Sequence, residues 1–95
     1  MEEAEFYRLQ EHLWAILEEK LDAQDADYEL SPGVIEVTQA DGGKVIINRH
    51  TPLREIWVAT RENGYHFKRE NDCWHDTRHG RELMGFLAEV LGFDS

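Results

Sequence analysis

Only one cysteine, Cys73, occurs in 95 residues, so the chain can close no internal disulfide, a usage that fits a reducing compartment. Basic residues are scarce too: ten Lys and Arg stand against twenty Asp and Glu, a net charge of −10. That balance repels nucleic acid and anionic membrane and excludes both as natural partners. No apolar stretch approaches the roughly 20 residues that span a bilayer, and Met1 to Phe6 is acidic with no basic leader before an apolar run. The expectation is a soluble, untargeted, cytoplasmic protein. Also missing are a nucleophile elbow, a phosphate loop and a metalloprotease helix. Acid–base chemistry needs carboxylates in a cleft that perturbs their pKa, and the acids here fall on an exposed ridge, so the chain reads as a non-enzyme.

What the chain does have is 41% hydrophobic residues, enough for one small domain with a single core over residues 1–95. There is no internal repeat, linker or low-complexity tract. Between residues 4 and 22, Phe6, Leu9, Leu13, Ile16, Leu17 and Leu21 recur at spacings of three, four and seven, the signature of an amphipathic helix. Val34 to Thr38 and Lys44 to Asn48 are β-branched runs joined by Asp41-Gly42-Gly43, a hairpin turn. Further strands are expected at about Arg54 to Thr60, Gly64 to Lys68 and Cys73 to Asp76. Alternation puts Ile35, Val37, Val45, Ile47, Ile56 and Val58 on one face. A second helix over about Gly80 to Leu91, ended by Gly92 as a left-handed cap, helps to cover that face. Gly85 inside it costs about 1 kcal/mol relative to Ala. The fold class predicted is α+β, a two-layer sandwich of helix, antiparallel meander of about five strands, and helix, with both helices on one face of the sheet.

The charge is not spread evenly. Met1 to Glu29 holds ten acids against two bases, whereas the remainder is nearly balanced with ten acids and eight bases. At about 100° per residue, Glu11, Glu18 and Asp22 share one side of the first helix, opposite its apolar face. Glu19 flanks them, and Asp25, Asp27 and Glu29 carry the charge into what reads as a short connection before the first strand. Carboxylates near a helix C-terminus oppose the macrodipole by a few tenths of a kcal/mol to about 1 each, and they repel one another. A local rule broken repeatedly in one place points to function. Hard oxygen ligands on an open surface suit iron, and also calcium, magnesium or manganese, with weak affinity and poor selectivity. An ordinary solvated acidic face is the alternative. Asp25, Asp27, Glu29 and Glu36 fall at positions 1, 3, 5 and 12 of an EF-hand loop, but Leu30 stands where the loop needs Gly and Glu36 lies in a strand.

Two other features stand out. The alternation that buries Ile47, Ile56 and Val58 turns Asn48, Glu55 and Trp57 outward, onto a sheet face that no helix is available to cover. Either a partner docks on Trp57, or neighbours such as Arg49 and Arg54 cover it. Cys73-x-His75-x-x-x-His79 could bring soft ligands for zinc or iron together, although a fourth ligand is not apparent and surface side chains are the alternative. His12, His50 and His66 read as scattered.

Ile46-Ile47-Asn48-Arg49-His50-Thr51-Pro52-Leu53, then Ile56-Trp57-Val58-Ala59, Gly64-Tyr65-His66-Phe67 and Trp74, resembles the frataxin family, closest to its bacterial, CyaY-type members. Glu5-Phe6, Arg8-Leu9, Leu13-Trp14 and Glu18-Glu19 before Leu21-Asp22 add to the match, which covers essentially the whole chain. The resemblance implies an iron-binding protein of iron–sulfur cluster assembly. It would dock on the cysteine desulfurase through the acidic ridge and regulate cluster formation according to iron supply, with an iron-donor role, a scaffold-protein contact and iron-dependent oligomers of an otherwise monomeric chain as further expectations. The implied metal residues are Glu18, Glu19, Asp22, Asp25, Asp27 and Glu29, for weakly bound ferrous or ferric iron with other divalent cations competing. Partner contacts would be Glu11, Glu18, Glu19, Asp22, Asn48 and Trp57. A protein-docking module with incidental metal binding is the second reading. The short acidic connection departs from the family pattern, as does the end of the chain at Ser95, which leaves little tail over the groove between the helices; modest stability is the expectation.

Overall fold

The computed structural model describes residues 1–93. Helix α1 spans Glu3–Ala23, and strands β1 (Asp27–Ser31), β2 (Val34–Thr38), β3 (Lys44–His50), β4 (Glu55–Ala59), β5 (Gly64–Glu70) and β6 (Cys73–Asp76) follow before helix α2 (Leu83–Leu91). The strands form one six-stranded sheet in the order β1-β2-β3-β4-β5-β6, every pair antiparallel. The inward residues Ile35, Val37, Val45, Ile47, Ile56, Val58 and Phe67 join Phe6, Leu13, Leu17 and Leu21 of α1 and Leu83, Phe86 and Leu87 of α2 in one core. The α+β meander with both helices on one face is therefore as expected.

The strand count is six, not five. Asp27–Ser31, expected to be a connection, is edge strand β1, paired to β2 through the Pro32-Gly33 turn with Gly33 at φ +71°. Its exposure hid it: only Tyr28 is half-buried, so the strand adds little to the core. Acids on such an edge also discourage pairing with other chains.

Two further boundaries shift. Helix α2 begins at Leu83, not Gly80, because Glu82 is bridged to His75 and the Arg81 carbonyl accepts the Asp76 N–H. The Glu82 carboxylate then caps α2 by accepting the N–H groups of Met84 and Gly85. Gly92 ends it in the left-handed region at φ +79°, as expected. Strand β4 starts at Glu55, since Arg54 sits at φ +55° after the 3₁₀ turn Thr51–Leu53.

The buried stripe of α1 is Phe6, Gln10, Leu13, Trp14, Leu17 and Leu21, with Leu9 and Ile16 only half-buried. Gln10 is tolerated inside because its Oε1 accepts from Arg49 Nη1 at 3.2 Å, while the Arg49 guanidinium lies 4.8 Å from the Tyr7 ring. Phe93 is 8% exposed and belongs to the core, with Lys20 Nζ 5.5 Å from its ring, so the chain just past α2 closes one end of the helix layer.

Candidate functional site

The buried stripe of α1 decides where its acids point. With Gln10 and Trp14 inside, Glu11, Glu18 and Asp22 lie roughly a quarter turn or slightly more from the buried centre, beside β1 and not opposite the core. Glu18 is accordingly half-buried, whereas Glu11, Glu19 and Asp22 are exposed. Tyr28 of β1 reaches back to this flank and its Oη donates to Asp22 Oδ1 at 2.5 Å. That hydrogen bond, with the charges of Asp22 and Glu18 beside it, pushes the Tyr28 phenol up to about 12.

Asp25 occupies a left-handed turn at φ +54°. Asp27 and Glu29 stand on the opposite side of the sheet from Asp22, because their register partners Thr38 and Glu36 face away from the core. Glu29 and Glu36 are thus like charges side by side. Lys44 meets them: its Nζ lies 2.5 Å from Glu36 Oε1, and Glu36, Glu29 and Asp27 together raise its pKa. The acidic region therefore wraps around the β1 edge in two parts, a helix flank of Glu11, Glu18, Glu19 and Asp22, and a sheet-face part of Asp27, Glu29 and Glu36. Glu36 joins the acids by strand register, a relation that helical spacing does not show.

These acids do not converge on one point. Among the described residues no group of three or more His, Cys, Asp or Glu side chains is arranged to hold a metal ion. The donors present suit an ion held by one or two carboxylates that keeps most of its water, not a preformed cage. The same holds for the soft-ligand set: Cys73 and His75 share the outer face of β6, His75 Nδ1 lies 3.2 Å from the Gly80 carbonyl, and His79 is in the following turn.

Trp57 projects from the centre of the outer face with Asn48 and His66 as register partners. Neither arginine covers it. Arg49 is turned to the helix layer, and Arg54 bonds the Thr51 carbonyl and approaches Glu3. The indole is instead held between two imidazoles, His50 at 3.8 Å and 6° and His66 at 4.1 Å and 7°, while its Nε1–H donates to Glu55 Oε1 at 2.8 Å. Of the three histidines expected to be scattered, His12 lies on α1 away from the indole, whereas His50 and His66 form a stack with it. Counting register across the Thr51–Arg54 and Thr60–Asn63 turns would have brought them together.

A frataxin-like domain model matches residues 1–94. The chain belongs to that family. A frataxin relative, the "Iron-sulfur cluster assembly protein CyaY" of Tolumonas auensis, is 45% identical over 97 residues, covering 100% of this chain and 93% of that protein. The solved frataxin of Psychromonas ingrahamii superposes with a TM-score of 0.89 at 35% identity, over 96% of this chain and 89% of that one. A trimeric frataxin from the yeast Saccharomyces cerevisiae, in complex with ferrous iron, gives 0.71 at 33% identity over 97% and 84%. The resemblance read from the Asn48–Leu53 and Ile56–Ala59 segments is thereby established.

Tyr28 offers a direct check on the acidic flank. Its raised pKa means that the protonated phenol favours the fold, so this contribution is complete below the ordinary value near 10 and is lost as pH rises through about 12. A spectrophotometric titration of phenolate absorbance is expected to lose a step near 12 in Tyr28→Phe, and the variant's stability should fall less steeply over that window.

Proposed function

We propose that this chain is an iron-responsive protein of iron–sulfur cluster assembly that docks on the cysteine desulfurase through its acidic flank. Iron is cargo or signal here, not a resident cofactor. Glu18, Glu19 and Asp22 on the helix, with Asp25, Asp27 and Glu29 around the β1 edge, would hold it weakly, and other divalent cations would compete. Glu11, Asn48 and Trp57 extend the surface that faces the desulfurase, and the iron–sulfur scaffold protein is a second partner. The reading places the chain in the cytoplasm as a monomer, not an enzyme, with an iron-donor role and iron-dependent oligomers as extensions of the same chemistry.

The observation that carries this reading is the concentration of acids, ten against two bases from Met1 to Glu29, along one flank and around one edge of a frataxin-like fold. The names of the relatives support it, one for cluster assembly and one for ferrous iron. Docking alone, with incidental metal binding, is the second reading, favoured by the lack of a converged ligand group among the described residues.

An anaerobic ferrous titration followed by amide NMR separates the two. Paramagnetic broadening centred on Glu18 to Glu29 is the expected result. Broadening centred on Cys73, His75 and His79 would move the site to β6, and none at any residue would leave docking alone.

A further inference from the structure

The stack on the outer face contains two groups that can change charge. His50 of β3 and His66 of β5 lie parallel against the two faces of Trp57, at 3.8 and 4.1 Å. Histidine is the side chain whose charge ordinarily changes between pH 5 and 8. When neutral, the three rings form an uncharged aromatic slab. When protonated, each imidazolium lies in contact with the indole face, where a cation is attracted by the ring.

The surrounding groups make this more than two surface histidines. The Glu55 side chain is only 14% exposed; it accepts the Trp57 N–H and lies 4.0 Å from His66 Nδ1. A proton on His66 converts that approach into an ion pair at the carboxylate that accepts the indole N–H. His50 Nδ1 accepts the Leu53 N–H at 3.3 Å, so a proton there would end the bond that caps the Thr51–Leu53 turn. The other charged or titratable groups facing the stack are few. Glu55 is the register partner of both His50 and Lys68. Lys68 pairs with His75 of β6 and lies 3.5 Å from Glu70. Asp76, Arg78 and His79 share with His66 a cavity of about 260 Å³ at the end of the sheet.

We infer that His50 and His66 make Trp57 a proton-sensitive contact: the stack meets a basic protein surface while its imidazoles are neutral and releases it when they take up protons. This rests on the docking reading above. The sign follows from charge: an acidic protein drawn to a basic partner loses attraction when one or two positive charges appear beside one of its contact residues.

The test has two arms. In the free protein, the Trp57 indole N–H NMR signal, assigned by its loss in Trp57→Phe, should move as pH falls from 8 to 5.5. In His50→Phe with His66→Phe, which keeps a ring on each face without the proton site, it should stay still. In the second arm, affinity for the cysteine desulfurase is measured at pH 8 and pH 6. The wild-type chain should bind roughly threefold to tenfold more weakly at pH 6 relative to the double Phe variant. His50→Gln with His66→Gln serves if the Phe pair does not fold. A still indole signal in the wild type, or the same pH dependence in wild type and variant, would overturn the inference. Binding to the desulfurase at neither pH would overturn the docking reading and this inference with it.

Discussion

Reversing Glu18, Glu19 and Asp22 to lysine together is expected to weaken docking on the cysteine desulfurase by about 3 kcal/mol, roughly 100-fold. The figure assumes exposed charge contacts worth up to about 1 kcal/mol each, with 1.4 kcal/mol per factor of ten. Most of the loss should appear in low salt and shrink as ionic strength rises. The same variant is expected to melt several degrees higher. All three positions lie in the last two turns of α1, where acids oppose the macrodipole and lysines complement it. Asp22→Lys also forfeits the Tyr28 hydrogen bond, which offsets part of that gain. Divalent cations should raise the melting temperature of the wild-type chain, since a ligand of the folded state stabilises it, and should leave the reversed chain nearly unchanged. Unaltered affinity would remove the flank from the interface, and a lower melting temperature would show that the acids do not strain the helix.

The largest expected loss of stability is at Phe67. Its side chain is fully buried on β5, register-paired with Ile56 and Asp76, and its ring centroid lies 5.5 Å from that of Phe86 on α2. Phe67→Ala removes an anchor between the sheet and the second helix and leaves a cavity, at a cost of about 3–5 kcal/mol. Small domains have only about 5–15 kcal/mol in total, so the urea midpoint should fall by roughly a fifth or more. Lys68→Ala, one residue along on the outer face, should stay within about 0.5 kcal/mol of the parent. Equal effects at the two positions would contradict the inward and outward assignment of β5.

That assignment was legible in the sequence because strand alternation is strict where one face is buried. Ile35, Val37, Val45, Ile47, Ile56 and Val58 alternate without interruption, and all six are buried. Strand β1 was harder to see. Asp27-Tyr28-Glu29-Leu30-Ser31 does alternate, but Leu30 is 51% exposed at the sheet edge, and so acidic a segment reads as a connection. The ridge was legible as composition and misplaced as geometry. Helical spacing alone assigned Leu9 and Ile16 to the core, whereas burial of Gln10 depends on Arg49, which lies 39 residues away and is invisible to a helical wheel. The Trp57 stack was hidden for the same reason, since His50 and His66 meet the indole only through strand register.

The consecutive order of the strands also shapes how the chain folds. Each of the five sheet pairings joins neighbours in the chain through a short turn, so the sheet can zip up hairpin by hairpin with little loop entropy to overcome at any step. The contacts that span the chain belong to the helix layer: Gln24 Nε2 donates to the Leu91 carbonyl across 67 residues, and Phe6 meets Trp74 ring to ring at 6.0 Å. Seating α1 therefore closes contacts of large sequence separation, and with them much of the loop entropy that folding must overcome.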